Sequence, residues 1–144
     1  MKTLLSILTI SALAMAPAMA DKNVKAGPRH GRVLEMPSQN AEFFVEKDRT
    51  VSIAFYDAAM KAQPASAQVV TATAEAPSGK TKLEFEKKGD LLVSKAPLPE
   101  GEGYTVVVQV KPDAEAKSKN FRIPLILHTC KGCNNAEYAC TCDE

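Results

Sequence analysis

Tryptophan is absent from this sequence, and histidine is reduced to His30 and His128. Of the five methionines only Met36 and Met60 lie beyond residue 20, which argues against a methionine-rich Cu(I) carrier because such a carrier needs several thioether ligands close together. An excess of one charge is absent as well: 18 basic residues less Lys2, the only charge in the first twenty positions, leave 17 basic against 17 acidic side chains. This balance argues against a nucleic acid or an anionic membrane as partner, since both are bound through clustered cationic charge.

The motifs of the common catalytic machineries are missing too. No phosphate-binding loop and no serine nucleophile elbow occur in the sequence. Strand alternation assigns the carboxylates that lie within apolar runs to outward, solvated faces rather than to an acid–base pair; these are Glu42, Glu46, Glu84 and Glu86. We therefore expect a protein that is not an enzyme.

The first twenty residues have the pattern of a signal peptide. Lys2 precedes an apolar stretch, and Pro17 is followed by the small residues Ala18 and Ala20 at the positions a signal peptidase reads. We expect cleavage before Asp21, release into the periplasm or secretion, and no membrane span afterwards, because the apolar stretch is short and no cysteine follows it to take a lipid. The remaining 124 residues make one domain, which we expect to be a monomer.

Beyond residue 32, short apolar runs recur with turn signals between them, and their period is two rather than 3.6. The run over 51–57 alternates as a half-buried strand does. Pro124 lacks a backbone donor, which places the strand over 121–128 at an edge or a bulge. About seven or eight strands predict an all-β fold, an antiparallel β-sandwich of the immunoglobulin-like kind, with a small β-barrel as the alternative. The predicted parts are a signal peptide (1–20), a polar arm (21–31), the sandwich (32–128) and a cysteine-rich tail (129–144).

All four cysteines lie in that tail, at Cys130, Cys133, Cys140 and Cys142, in the spacing H-x-C-x2-C-x6-C-x-C. Cysteines of an exported protein are normally paired, so one hypothesis is two disulfides that stabilise a non-catalytic interaction or structural domain. A bond between Cys140 and Cys142 would close a very small ring, which favours the crossed pairings. The C-x-x-C pair also has the form of a redox dithiol, but it follows a strand rather than starting a helix in a βαβ unit.

The other main hypothesis for the tail is a metal site. Two cysteine pairs bring four thiolates within reach of one tetrahedral ion, and sulfur ligands suit Zn(II) or Cu(I). His128 is a candidate substitute ligand, and His30 becomes one if the polar arm packs beside the last strand; its alternative is a solvated loop histidine. The predicted ligand set is therefore the four cysteines with His128 and His30, and no other cofactor is expected.

Three segments carry a resemblance to a known group of proteins: GPRHGRVLE, AEFFVEKDRTVSIAFYDA and CKGCNNAEYACTCDE. Together they resemble small, largely uncharacterised exported bacterial proteins with an early Pro-His-Gly-Gly element, a phenylalanine-rich strand before a Lys-Asp-Arg turn, and terminal cysteines. The resemblance implies a metal-handling or accessory function, with a metal efflux or envelope protein as partner, through the association of that group with heavy-metal efflux systems. The sequence departs from the pattern at Arg29, which separates Pro28 from His30, and at Arg32, which replaces the second glycine.

Overall fold

A computed structural model describes residues 23–142, so the predicted signal peptide lies outside the described residues. Within that range the chain forms nine strands and one short 3-10 turn. No helix in this part of the chain has the length and apolar character needed to cross a membrane. The elements are β1 (Arg32–Glu35), β2 (Asn40–Val45), β3 (Val51–Tyr56), β4 (Ala62–Gln63), β5 (Val69–Ala76), β6 (Gly79–Lys88), β7 (Leu91–Ser94), β8 (Thr105–Lys111), β9 (Lys119–Pro124) and the 3-10 turn (Glu137–Ala139).

The strands form one antiparallel sheet in the order β1-β2-β3-β7-β6-β5-β8-β9, with the two-residue β4 paired to β3. The sheet has two halves, one with β1, β2, β3, β4 and β7 and the other with β5, β8 and β9. Strand β6 joins them, because residues 79–84 pair with β5 and residues 85–88 pair with β7. The sheet rolls up into a nearly closed, barrel-like shape. The all-β antiparallel class predicted from the period of two is thus confirmed, and β4 is the one strand of the structure that the sequence did not predict.

Both halves of the sheet contribute side chains to one apolar core. Phe43 of β2 and Phe55 of β3 are the largest of its fully buried members. The same core includes Ala72 of β5 and Val106 and Val108 of β8, which are also withdrawn from solvent. Strand β9 is the last strand of the order, so the predicted edge position of Pro124 is confirmed. The strand ends at this proline, so the prediction that it continues to residue 128 was wrong.

Strand β3 differs from its prediction, because all six of its residues are buried rather than every second one. One face carries Val51, Ile53 and Phe55 into the apolar core. The other face, with Ser52 and Tyr56, lies under a turn formed by Gly27–Gly31 in the predicted polar arm, where Arg29 donates from Nη1 to Ser52 Oγ at 2.8 Å. The alternation was correct, but the second face is covered by a segment distant in sequence.

The same turn buries Glu42, which the sequence assigned to a solvated face. Glu42 has no solvent-exposed surface, and its Oε1 accepts from the backbone N–H groups of Arg29 at 3.0 Å and Gly31 at 2.8 Å. Its Oε2 accepts from the Tyr56 hydroxyl at 2.6 Å. Burial and this bond to the carboxylate together raise the pKa of Tyr56. The expectation of a solvated Glu42 was therefore wrong, because three donors replace the water that burial removes.

Gly27 and Gly31 permit this arrangement by lacking a side chain. A Cβ at Gly27 would lie 2.3 Å from Glu42 Cδ, and a Cβ at Gly31 would lie 2.4 Å from the carbonyl oxygen of Phe43. Either contact is far inside van der Waals distance, so any larger residue would push the turn off the sheet. A salt bridge between Arg29 Nη2 and Glu46 Oε1, 2.9 Å long, holds the turn from its outer side.

We predict that Glu42→Gln lowers the free energy of unfolding by about 2 kcal/mol, because a neutral amide weakens charge-assisted bonds and presents a donor where the Tyr56 hydroxyl also donates. Urea unfolding of the mature protein measures the change. Glu84→Gln is the matched control: its carboxylate is exposed and pairs loosely with Lys95 at 3.4 Å, so we expect a change within about 0.5 kcal/mol. Equal effects of the two substitutions would contradict the importance assigned to the buried carboxylate.

Candidate metal centre

The four cysteine sulfurs converge on one point of the structure. The Sγ atoms of Cys130, Cys133, Cys140 and Cys142 all lie within 4.8 Å of one another. Cys133 Sγ is 3.6 Å from Cys140 Sγ, and Cys130 Sγ is 3.8 Å from Cys142 Sγ and 2.9 Å from Cys140 Sγ. In a tetrahedral zinc thiolate site with Zn–S of about 2.3 Å, neighbouring sulfurs are about 3.8 Å apart. Two of these three separations are therefore close to that spacing.

All four cysteines are free thiols in the described part of the chain. The shortest of the three sulfur separations, 2.9 Å, is well beyond the length of about 2.05 Å that a disulfide requires. The cluster is thus a set of thiols held in mutual contact. Such a set can bind a metal ion, or it can be oxidised to two disulfides.

A tight backbone loop brings Cys130 and Cys133 together. The N–H of Cys130 donates to the carbonyl of Asn135 at 2.7 Å, and the N–H of Asn134 donates to the carbonyl of Cys130 at 3.0 Å. Asn134 has φ of +60°, a left-handed conformation that asparagine tolerates better than most residues do. This reversal turns the chain back so that the second pair of cysteines can reach the first.

Gly132, between the first two cysteines, is required by the closeness of Cys142. A Cβ at this position would lie 2.6 Å from Cys142 Sγ, whereas Cys130 Sγ would be at an ordinary 3.9 Å. The glycine therefore leaves room for one particular sulfur. This role was not evident in the sequence, because the spacing C-x-x-C does not show that Cys142 comes to lie against Gly132.

The segment between the two cysteine pairs is fixed to the protein core. Thr129 and Ala136 form an isolated antiparallel bridge, and Tyr138 is buried with its ring edge-on to Phe43 at a centroid distance of 5.6 Å. The Tyr138 hydroxyl accepts from the backbone N–H of Val45 at 3.1 Å. The 3-10 turn that holds Tyr138 then delivers Cys140, so the position of the second pair depends on packing against β2.

The thiols differ in acidity because of their hydrogen bonds. Backbone N–H groups of Thr141 and Asn135 donate to Cys133 and lower the pKa of its thiol to about 6. Cys140 is hydrogen-bonded to Cys130, which raises the pKa of Cys140 to about 12, and the pKa of Cys142 is raised by its own bond to Cys130. At neutral pH the metal-free cluster therefore carries a thiolate at Cys133, while Cys140 keeps its proton.

The two histidines lie outside the group of four sulfurs. His30 is exposed at the tip of the Gly27–Gly31 turn with φ of +66°, and its Nδ1 is 3.0 Å from Asn135 Oδ1. It thus touches the loop that carries Cys130 and Cys133 without joining their cluster. His128 is exposed between two acids, 3.7 Å from Glu102 and 3.8 Å from Glu137. The structure brings together the four predicted cysteines and places both predicted histidines at their margin.

Asn135 and Tyr138 are the residues of this centre that sequence reasoning missed. Asn135 is buried, accepts at its carbonyl from Cys130 and contacts His30 through its side chain. Tyr138 is the only aromatic residue between the two cysteine pairs, a signal that could have marked it as an anchor, since a lone aromatic in a polar tail needs a place to be buried.

Comparisons of the chain with protein-family models, with curated proteins and with solved structures find no match. The resemblance to exported proteins of heavy-metal efflux systems therefore stays a prediction.

We predict that Cys133 of the reduced, metal-free protein reacts first with iodoacetamide at pH 7. The thiolate is the reactive form, and a pKa of about 6 keeps Cys133 ionised there, while Cys140, at about 12, stays protonated. The rate at Cys133 should fall as the pH is lowered through about 6, measured by mass spectrometry of digested samples.

Cys133→Ser is the control for this experiment, and it should remove the fast reaction without transferring it to another cysteine. Faster labelling of Cys140 than of Cys133 at pH 7 would contradict the assignment of the negative charge.

Proposed function

We propose that this protein is a periplasmic metal-binding accessory protein that holds one soft ion, Cu(I) or Zn(II), between Cys130, Cys133, Cys140 and Cys142. The observation that carries the proposal is the convergence of four free sulfurs within 4.8 Å. Four thiolates suit these ions because soft cations prefer sulfur donors, and Zn(II) in particular is satisfied by a tetrahedral set.

The surroundings of the sulfurs support binding rather than chance proximity. Backbone N–H groups aimed at sulfur, including that of Cys142 at 3.4 Å from Cys140 Sγ, stabilise thiolate charge in the way that outer donors do around metal ligands. The loop is fixed by Tyr138, so the ligands are already close before an ion arrives. Of the three sulfur pairs whose separations are given above, only Cys130–Cys140, at 2.9 Å, has to open, by about 0.9 Å, to reach the tetrahedral spacing.

Three features of the sequence support the accessory role. The export signal predicted over residues 1–20 supports a periplasmic location, and the absence of catalytic motifs from the sequence supports handling of the ion rather than catalysis with it. A metal efflux or envelope protein is the proposed partner, because the chain resembles exported proteins associated with heavy-metal efflux.

Metal content decides between this proposal and its alternative, a structural domain stabilised by two disulfides. Mature protein isolated from the periplasm should hold about one ion per chain and should gain four alkyl groups after chelation. The alternative predicts a mass lower by about four hydrogens, no metal and no alkylation. Intact mass and elemental analysis of the same sample therefore decide the chemical state of the four sulfurs.

We predict that Cys130→Ser loses stoichiometric metal, since it removes the most buried of the four ligands. Loading with Co(II) gives an independent readout, because four thiolates around cobalt produce intense visible absorption that the variant should lack. His128→Ala and His30→Ala are the matched controls, and both should keep one ion per chain if the thiolates suffice. Loss of metal in either histidine variant would place that histidine among the ligands and contradict the four-thiolate site.

A physiological test addresses the accessory role separately. In the organism that encodes the protein, deletion of its gene should increase sensitivity to zinc or copper salts. The wild-type gene should restore growth, and the gene carrying Cys130→Ser should not. Restoration by the variant would contradict a role that depends on the cysteine cluster.

A further inference from the structure

The four cysteines are unequal in their exposure to solvent. Cys130 is buried with 8% of its surface exposed, Cys133 and Cys140 are intermediate, and Cys142 is exposed. Cys130 is also the best anchored, because both its N–H and its carbonyl are bonded within the loop that ends at Asn135. One side of the cluster therefore faces the protein core and the opposite side, at Cys142, faces solvent.

A cleft of about 360 Å³ opens on that exposed side. It is lined by Cys140, Thr141 and Cys142 together with residues 23–25 and Glu35. Lys25 and Glu35 form an ion pair in which both side chains are more than half exposed. Two of the four cysteines, Cys140 and Cys142, thus line the cleft, whereas Cys130 and Cys133 do not.

Cys142 reaches the cluster because Gly132 leaves space for its sulfur. The missing side chain of this glycine leaves the space into which Cys142 Sγ comes, and the sulfur of Cys142 touches the cluster through Cys130 at 3.8 Å. Cys142 also follows the 3-10 turn by three residues. It is therefore the ligand that can leave with the least disturbance of the core.

We infer that the site passes its ion to a partner by ligand exchange at Cys142, and that the partner presents a thiol through the cleft beside Lys25 and Glu35. This inference rests on the proposed function and extends it from holding an ion to transferring one. A thiol is the donor that the chemistry requires, because the leaving group is a thiolate on a soft ion and a harder ligand would replace it poorly.

The exchange step is balanced without any redox change. The sulfur of the incoming thiol forms a bond to the ion while the bond from the ion to Cys142 Sγ breaks. The proton released by the incoming thiol is taken up by the sulfur of Cys142, so the charge on the ion and its number of sulfur ligands are unchanged. Cys140, which lines the same cleft, is the next ligand to be replaced, and Cys130 is the last.

The test measures transfer of Co(II) from loaded mature protein to a synthetic peptide with two cysteines, followed by the change in visible absorption. The rate should rise in proportion to peptide concentration, and it should exceed the rate with an aminocarboxylate chelator of matched affinity. Cys142→Ser removes one of the four ligands, so it should bind the ion more weakly, and at protein concentrations high enough to load it, it should transfer the ion at least about tenfold faster. Gly132→Ala should act in the same direction, because its Cβ would meet Cys142 Sγ at 2.6 Å. Lys131→Ala, an exposed neighbour, is the control and should match the wild type.

Limited alkylation of the loaded wild-type protein gives a second readout, independent of the variants. Iodoacetamide should modify Cys142 first and Cys130 last, as mapped by mass spectrometry. Modification of Cys130 before Cys142, or a transfer rate independent of peptide concentration, would overturn this inference while leaving the metal site intact. A wild-type chain that takes up no metal would instead overturn the proposed function, and this inference with it.

Discussion

The structure around the cysteine cluster depends on one buried carboxylate. Glu42 lies on the face of β2 that points away from the core, and it is kept there by two backbone donors from the Gly27–Gly31 turn and by the Tyr56 hydroxyl. Removing a carboxylate from water is costly unless such partners replace its hydration. In this protein the hydrogen bonds to Glu42 also hold the Gly27–Gly31 turn against β2 and β3. His30 of that turn contacts Asn135 at the edge of the cysteine loop.

Strand β2 therefore has the apolar core on one face and the Gly27–Gly31 turn on the other. On its inner face Phe43 packs in the core and touches Tyr138, which fixes the segment between the cysteine pairs. On its outer face Glu42 holds the turn that reaches the first cysteine loop. The cluster of sulfurs is thus positioned from both faces of one strand, which explains how a polar tail with few apolar residues can have a defined geometry. The chemistry of the site lies in the tail, but the strand supplies its rigidity.

The sequence allowed the all-β class, most strand positions and the full set of four cysteines to be predicted, because alternation and spacing are local signals. Val51–Tyr56 shows what such local signals fail to predict. Its alternation was right, yet both faces are buried, since the cover comes from residues more than twenty positions earlier. Glu42 was misassigned for the same reason. Gly132 and Asn135 act through contacts that appear only when the chain returns on itself, so no pattern in their neighbourhood could predict them.

The docking of Tyr138 on Val45 joins positions 93 residues apart in the chain. Contacts over such long separations form late in folding, because the entropy of closing the intervening loop has to be overcome first. The segment that carries the second pair of cysteines is consequently fixed in its final position only after β2 has taken its place in the sheet. An ion bound by all four sulfurs would then be a marker of completed folding, and a chain arrested earlier would present the same four thiols as separate, unprotected nucleophiles.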